Sequence, residues 1–347
     1  MQYTVLGLRA LGQRASLVAA PDGELFTRMR EGHDLIGLGT QSEVDLSAAW
    51  RLSRVVKQLR PDIVHAHDPH AVAMASTGLS MTSTSPPPVL VASRRIEYPI
   101  ARNSFSRWKY RQVGCFIAVS EAVRERVILD GIPRSRTAVV HEGVDVARVE
   151  HMERVDVHGE FFLPHNAPVV GNIGALVAQK DQRHLVDAAA IVIKEVPDAR
   201  FVILGEGELR QALERQIHEH HLERHVFLAG FRADALALLK SVDVFAISSI
   251  HEGLCTSIID AMAASKACVG TRVGGIPEVI DDGVTGFLVE PRDPHAMAAR
   301  LITLLKDEGL RRRMGNAGLV RARERFTVDH MVRGTADVYR RLLERRP

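Results

Sequence analysis

Val242-Asp243-Val244-Phe245-Ala246-Ile247-Ser248-Ser249-Ile250-His251-Glu252-Gly253-Leu254-Cys255-Thr256-Ser257-Ile258-Ile259-Asp260-Ala261-Met262-Ala263-Ala264 is a strand, a polar loop and a helix in one reading frame. Val242 to Ile247 is a short apolar run of strand length, and the apolar residues after Thr256 recur at helical spacing. Between them the loop carries Glu252, and Gly253 permits close approach of backbone. Thr256 or Ser257 is expected to cap the helix, with Asp260 in its first turn. Two carboxylates eight residues apart would then face a ligand from loop and helix; capping and solubility are the plainer roles.

The same alternation extends in both directions. In the first half, strands are expected at Ser16 to Ala20, Leu35 to Leu38, Asp62 to Ala66, Val89 to Ser93, Phe116 to Val119 and Ala138 to His141. In the second half they are expected at Val169 to Ile173, Phe201 to Leu204, Val226 to Leu228, Val242 to Ile247, Ala267 to Thr271 and Gly286 to Val289. Helical patterns fill the gaps, which means βαβ units and parallel sheets, an α/β fold. The polar stretch Glu142 to Ala167 breaks the rhythm and reads as a domain junction. Val328 to Leu343 places Met331, Val332, Ala336, Val338, Leu342 and Leu343 on the apolar face of one terminal helix. The first element, Tyr3 to Gly12, reads as a helix with Val5, Leu8 and Leu11 on one face. No strand and no Gly-rich turn precede it, although a doubly wound sheet normally opens with both. The expectation drawn from this is a start codon placed too far downstream.

Length and composition limit the function classes. At 347 residues the chain has room for two domains, and 46% hydrophobic with 25% charged residues is ordinary for a folded protein. Lys and Arg number 45 against 42 Asp and Glu, a formal charge of +3, too small for a dedicated nucleic-acid binder. Cys115, Cys255 and Cys268 cannot pair completely and sit in or beside apolar runs, which suits a reducing cytoplasm. No secretory leader pattern and no run of about 18 apolar residues is present.

Ligands of open parallel sheets bind beyond the carboxyl ends of the strands. His65 and His67 close the expected Asp62 strand, and Arg94, Arg95, Lys180, Glu206, Arg232 and Glu252 follow expected strands, pointing to one polar edge on each sheet; the plainer account is that loops are polar. His65-Ala66-His67-Asp68-Pro69-His70 offers imidazoles and a carboxylate for zinc, but no matching downstream ligands are evident. Gly205-Glu206-Gly207-Glu208-Leu209-Arg210 lacks the last glycine of a dinucleotide fingerprint, and no P-loop occurs. Phe105, Trp108 and Tyr110 interleave with Arg102, Arg107, Lys109 and Arg111, downstream of Arg94 and Arg95. Such a patch could hold anionic lipid headgroups or a phosphorylated acceptor, and a solvated helix face is the equal alternative.

Glu252 to Asp260 resembles the E-x7-E motif of retaining glycosyltransferases of family 4. Gly274-Gly275-Ile276-Pro277-Glu278-Val279, Gly283-Val284-Thr285-Gly286-Phe287-Leu288-Val289, Lys180-Asp181, Leu204-Gly205-Glu206-Gly207, Gly230-Phe231-Arg232 and His65-Ala66-His67 are similar to that family in the same order. The resemblance implies the GT-B fold, two Rossmann-like doubly wound parallel-sheet domains facing a cleft. It implies an acceptor-binding domain over residues 1–143, a nucleotide-sugar-binding domain over 144–326, and a terminal helix, 327–347, packing back toward the first. By resemblance Glu252 contacts donor-sugar hydroxyls, Asp260 the ribose diol and Lys180 the diphosphate. Glu206, Phe231, Arg232, Gly253, Leu254, Cys255 and Thr256 complete the donor set. Lys180, Glu252 and His67 form the catalytic set, while His65, His67, Arg94 and Arg95 meet the acceptor.

The implied reaction moves a sugar from a nucleotide diphosphate to a hydroxyl of a glycan or lipid-linked acceptor, without metal or cofactor, in cell-envelope polysaccharide or glycolipid synthesis. The implied location is the cytoplasm, with peripheral contact to anionic membrane at the inner face. Three features depart from the family pattern: Asp260 is one methylene short, Ala175 stands where many members have a phosphate-binding arginine, and the first strand is missing. They motivate the alternatives of a GT-B protein that binds nucleotide or a partner without catalysis, or a nucleotide-sugar epimerase.

Overall fold

The computed structural model describes residues 1–30, 35–39, 42, 45–100 and 103–346. The chain divides into two compact units, Met1–His141 with Val328–Pro347, and Glu142–Thr327. The first opens with α1 (Gln2–Ala10), β1 (Leu17–Ala19), α2 (Glu24–Arg28), β2 (Leu35–Gly37), α3 (Leu46–Leu59), β3 (Ile63–Ala66) and α4 (Pro69–Ser80). It continues through β4 (Val89–Arg94), α5 (Ser104–Arg111), β5 (Val113–Ala118), α6 (Glu121–Leu129) and β6 (Thr137–Val139). The second unit runs α7 (Val146–His151), α8 (Val157–Glu160), β7 (Val169–Ile173), α9 (Gln182–Glu195), β8 (Arg200–Leu204), α10 (Arg210–Glu219) and β9 (Val226–Gly230). After these come α11 (Ala235–Leu239), β10 (Val244–Ile247), α12 (Thr256–Ala263), β11 (Ala267–Thr271), α13 (Ile276–Val279), β12 (Gly286–Val289), α14 (Pro294–Lys306) and α15 (Glu308–Arg325). The closing helix α16 (Val328–Glu344) belongs to the first unit.

The second unit is one parallel sheet in the order β12-β11-β10-β7-β8-β9. Its strands read as unbroken apolar runs because helices cover both faces, leaving no solvent side for alternation. Val170, Phe201, Ile203, Val244 and Ala246 pack with Leu185, Val186 and Ala189 of α9 and Met297, Leu301 and Leu304 of α14. Each large aliphatic or aromatic side chain buried there contributes about 1.5–3 kcal/mol, and Phe201→Ala would remove about 3–5 kcal/mol. The strand order reverses between β7 and β10, the position at which ligands of open parallel sheets generally bind.

The first unit holds two parallel sheets among its described residues, β1-β2 and β3-β4-β5-β6. Leu52 and Val56 of α3, Val72 and Ala75 of α4, and Leu90, Ala92 and Phe116 of the larger sheet form its main core. Val338 of α16 packs on Val91, Cys115 and Ile117. Met331, Val332 and Ala336 of the same helix pack on Leu8 of α1, and any side chain at Gly7 would overlap Val332.

The structure differs from the sequence-based expectation at several local points. Leu11, expected on the apolar face of the first helix, is 42% exposed, because α1 ends at Ala10. β5 begins at Val113 rather than Phe116; Gly114 sits where a Cβ would lie 2.7 Å from the Val89 side chain, so the glycine admits β4 rather than ending the strand. The polar stretch after Glu142 contains α7 and α8, capped by Asp145 and Asp156, each too short to show a helical period. Of the basic-aromatic segment, Arg102 lies outside the described residues.

Candidate active site

The loops after β7 and β10 are tied to each other before any ligand arrives. Asn172 Nδ2 donates to the Ala246 carbonyl at 2.8 Å, the Ile250 amide to the Gln179 carbonyl at 2.9 Å, and Ser248 Oγ to the Lys180 carbonyl at 3.1 Å. Thr271 Oγ1 adds a 2.6 Å bond to the Ser249 carbonyl. This framework brings the Lys180 ammonium onto Glu252 Oε1, which also accepts from Ser249 Oγ at 2.8 Å. Among the described residues Oε2 of Glu252 has no donor, so one carboxylate oxygen is available to a hydroxyl. Burial works against the lysine charge, but Cys255 and then the Glu252 carboxylate outweigh it and hold its pKa above the ordinary value. Lys180 is therefore a fixed cation at neutral pH.

The helix after this loop starts differently from the expectation. Its N-cap is Cys255, at φ 72° and with no side-chain capping bond, instead of Thr256 or Ser257. The Cys255 thiol lies 3.4 Å from Ser257 Oγ, and burial pushes its pKa up to about 12. The Ile258 amide donates to the Cys255 carbonyl at 3.2 Å, while the Thr256 and Ser257 amides have no acceptor among the described residues, and the helix dipole adds positive potential there. Asp260 is the fifth residue of α12, in its second turn rather than its first. Burial pushes its carboxyl up to about 7, with Arg148 pulling in the opposite direction. Gly274, at φ 51°, lies so close to the Glu252 carbonyl that a Cβ there would collide with it.

Along the same carboxyl edge the residues follow sheet order. Glu252 leaves β10, Lys180 leaves β7, Glu206 leaves β8, and Phe231 with Arg232 leaves β9. Adjacent strands lie about 4.8 Å apart, so β10 to β9 spans about 14 Å. Glu206 accepts from Arg210 Nη1 at 3.1 Å, and its backbone carbonyl accepts the Leu176 amide, which joins the β7 and β8 loops. Phe231 is 79% exposed. Arg232 is paired with Asp234, at 2.7 and 2.8 Å, and with Glu160 of α8. Gly253 and Leu254 are buried beside Cys255, while Thr256 is exposed.

In the first unit His65 is committed on both ring nitrogens, to Tyr339 at 2.5 Å and Ser93 at 2.8 Å. It stacks on His67 at 4.1 Å. Burial, helped by Arg95, lowers His65 to about 3, and burial, then His65, holds His67 well below its ordinary value, so both rings are neutral. His67 Nδ1 is buried without a hydrogen-bond partner. Arg94 is 9% exposed and donates to the Tyr98 carbonyl, while Arg95 adjoins both histidines. Asp68 caps α4 through the Ala71 amide at 2.9 Å, which accounts for one member of the His-rich run. Among the described residues no group of three or more His, Cys, Asp or Glu is placed to hold a metal ion. Lys109 and Tyr110 of the basic-aromatic segment are core residues, whereas Arg107 and Trp108 are exposed.

Two family models match in succession: Glycosyltransferase Family 4 over residues 1–148 and Glycosyl transferases group 1 over 155–321, together nearly the whole chain. The chain belongs to glycosyltransferase family 4. This glycosyltransferase is 26% identical to N-acetyl-alpha-D-glucosaminyl L-malate synthase of Bacillus anthracis over 303 residues, 85% of this chain and 78% of that one. It is also 26% identical to the lipopolysaccharide core biosynthesis glycosyltransferase LpsE of Rhizobium meliloti over 297 residues, 86% of this chain and 80% of that one. The crystal structure of Anabaena HepE in complex with UDP superposes with a TM-score of 0.83 at 21% identity, covering 98% and 95% of the two chains. The fold is GT-B, with two Rossmann-like parallel-sheet domains.

Residues with little or no signal in the sequence also hold these side chains in place. Ser249 holds Glu252, Gln179 and Ser248 tie the loops, Glu160 holds Arg232, and Tyr339 with Ser93 holds His65. Only Ser249 had a local signal, a hydroxyl three residues before a strand-end carboxylate. At position 175 the alanine carbonyl accepts Gln182 Nε2 at 3.0 Å, and Arg183, in the first turn of α9, is exposed.

Proposed function

We propose that this glycosyltransferase moves a sugar, with retention, from a nucleoside diphosphate to a hydroxyl of a glycan or lipid-linked acceptor in cell-envelope synthesis. The observation that carries the reading is the Lys180–Glu252 pair, seated where the strand order reverses and followed eight residues later by Asp260. The B. anthracis and R. meliloti relatives and the HepE complex with UDP support the same donor class and setting.

In this reading the free oxygen of Glu252 accepts from sugar hydroxyls and Asp260 from the ribose diol. Lys180 and the α12 amides hold the diphosphate, and Glu206, Phe231 and Arg232 line the base side. The anomeric C–O bond to the diphosphate breaks as charge grows on phosphate oxygens that Lys180 stabilises. The acceptor oxygen bonds to the anomeric carbon from the same face, and its proton passes to the departing diphosphate. No metal is needed for this step. His67, neutral and with an uncommitted Nδ1, orients the acceptor hydroxyl beside His65, Arg94 and Arg95.

The exposed Arg107, Trp108 and Tyr98 give the acceptor side a peripheral contact with anionic lipid at the inner membrane face. Among the described residues no helix is long and apolar enough to cross a membrane. Turnover of UDP- and GDP-sugar panels by wild type and Glu252→Ala tests the reading. The variant should lose transfer and keep bare nucleotide binding within about tenfold, and unchanged turnover contradicts it. Arg107→Glu should lower binding to vesicles containing phosphatidylglycerol, and an unchanged level removes the membrane contact.

A further inference from the structure

The first unit contains a cavity of about 470 Å³ between β6, the start of α6 and the outer turns of α16. Its wall carries Arg124, Arg134, Arg341 and Arg345, with Ser135 at the rim and Cys115 in the floor. The charges there do not cancel. Glu121 accepts from Arg124 at 2.9 Å and lies 3.6 Å from Arg134, and Glu125 pairs with Arg134. Arg341 and Arg345 have no ion-pair or hydrogen-bond partner among the described residues. They stand four residues apart on one helix face, where like charges repel. Arg136, behind them, is turned onto the carbonyls of Tyr110 and Arg111, at 3.0 and 2.9 Å, so it brings no carboxylate either.

A concave site in which Glu121 and Glu125 offset Arg124 and Arg134 but nothing offsets Arg341 and Arg345 keeps two guanidinium forks for a planar or tetrahedral oxyanion, which accepts two parallel N–H bonds from a fork. The volume lies in the range of small-molecule sites and exceeds a bare phosphate. We propose that this cavity is a second anion site, which takes a phosphate ester or diphosphate between Arg341, Arg345, Arg124 and Arg134. None of these residues belongs to the donor set, so the site stands or falls apart from the proposed reaction. Cys115, whose thiol burial pushes up to about 11 while Arg341 and Arg345 pull it down, reports the positive potential at the floor.

The test uses the full chain carrying Lys180→Gln, so that diphosphate binding at the donor loops is disabled. Inorganic pyrophosphate, titrated calorimetrically at matched ionic strength, should bind saturably, and adding Arg341→Gln with Arg345→Gln should weaken it at least tenfold. Arg341→Lys with Arg345→Lys should recover part of the loss, and thermal melting identifies any variant that fails to fold. A second arm uses phosphatidylcholine vesicles with and without phosphatidic acid. Arginine-dependent binding of pyrophosphate assigns a soluble phosphate ligand, and arginine-dependent binding of phosphatidic acid vesicles alone assigns a lipid headgroup. Equal affinity in the arginine and glutamine forms, or no binding in either arm, overturns the proposal.

Discussion

The polar strand ends of the two units are built in different ways. In the Glu142–Thr327 unit one six-stranded sheet reverses order between β7 and β10, and the loops there leave a carboxylate oxygen and helix amides unspent. In the first unit the four-stranded sheet ends in His65, whose two ring nitrogens are already taken by Tyr339 and Ser93. One edge is tied by the Ile250–Gln179 backbone bond and by the Asn172, Ser248 and Thr271 side chains, and still leaves one oxygen of Glu252 without a donor among the described residues. The other spends side chains on its own cohesion and offers a neutral, partly satisfied surface. A nucleotide diphosphate, rich in charge and vicinal hydroxyls, fits the former, and a hydroxyl-bearing acceptor fits the latter.

The sharpest way to break this contrast is Glu252→Gln, which keeps the shape and removes the charge. Turnover should fall about 10²–10³-fold with the far-ultraviolet spectrum unchanged, and a loss below tenfold would show that the pair is structural. Gly274→Ala attacks the backbone support instead. Its φ of 51° and the collision with the Glu252 carbonyl predict a loss of about 3 kcal/mol in urea unfolding.

Asp260→Asn probes burial at the same edge. The folded carboxyl sits at about 7, above the ordinary ~3.9, so its favourable contribution is full below about pH 4 and is lost as pH rises through 7. The asparagine form should therefore be more stable than wild type at about pH 8, by about 4 kcal/mol, with the gap closing toward pH 4. Its affinity for nucleoside diphosphate should fall. Tyr339→Phe makes the smallest change, about 1 kcal/mol at pH 7 by chemical denaturation. His65, held neutral to about 3, favours folding above its ordinary 6.5, and that contribution is lost as pH falls toward 3. Stability of wild type should decline across that range.

Much of the fold was legible because parallel strands covered on both faces write themselves as apolar runs, as at Ala267–Thr271 and Gly286–Val289, whose bounds agree with the reading. The spacing from Glu252 to Asp260 was legible for the same local reason. Contacts that depend on topology were not. Lys180 and Glu252 are 72 residues apart, and His65 and Tyr339 are 274 apart, so no window of sequence contains either pair. The Cys255 cap was hidden because a buried thiol in the left-handed region satisfies no capping rule, and the usual capping hydroxyls stood next to it. Glu160 was hidden in a stretch read as a linker.

Calorimetric titration of the folded chain with a panel of UDP- and GDP-sugars addresses the donor claim most directly. The account predicts a saturable one-to-one isotherm with at least one donor, weakened at least tenfold by Lys180→Gln. An isotherm indistinguishable from buffer for every donor, in protein shown to be folded, would contradict it.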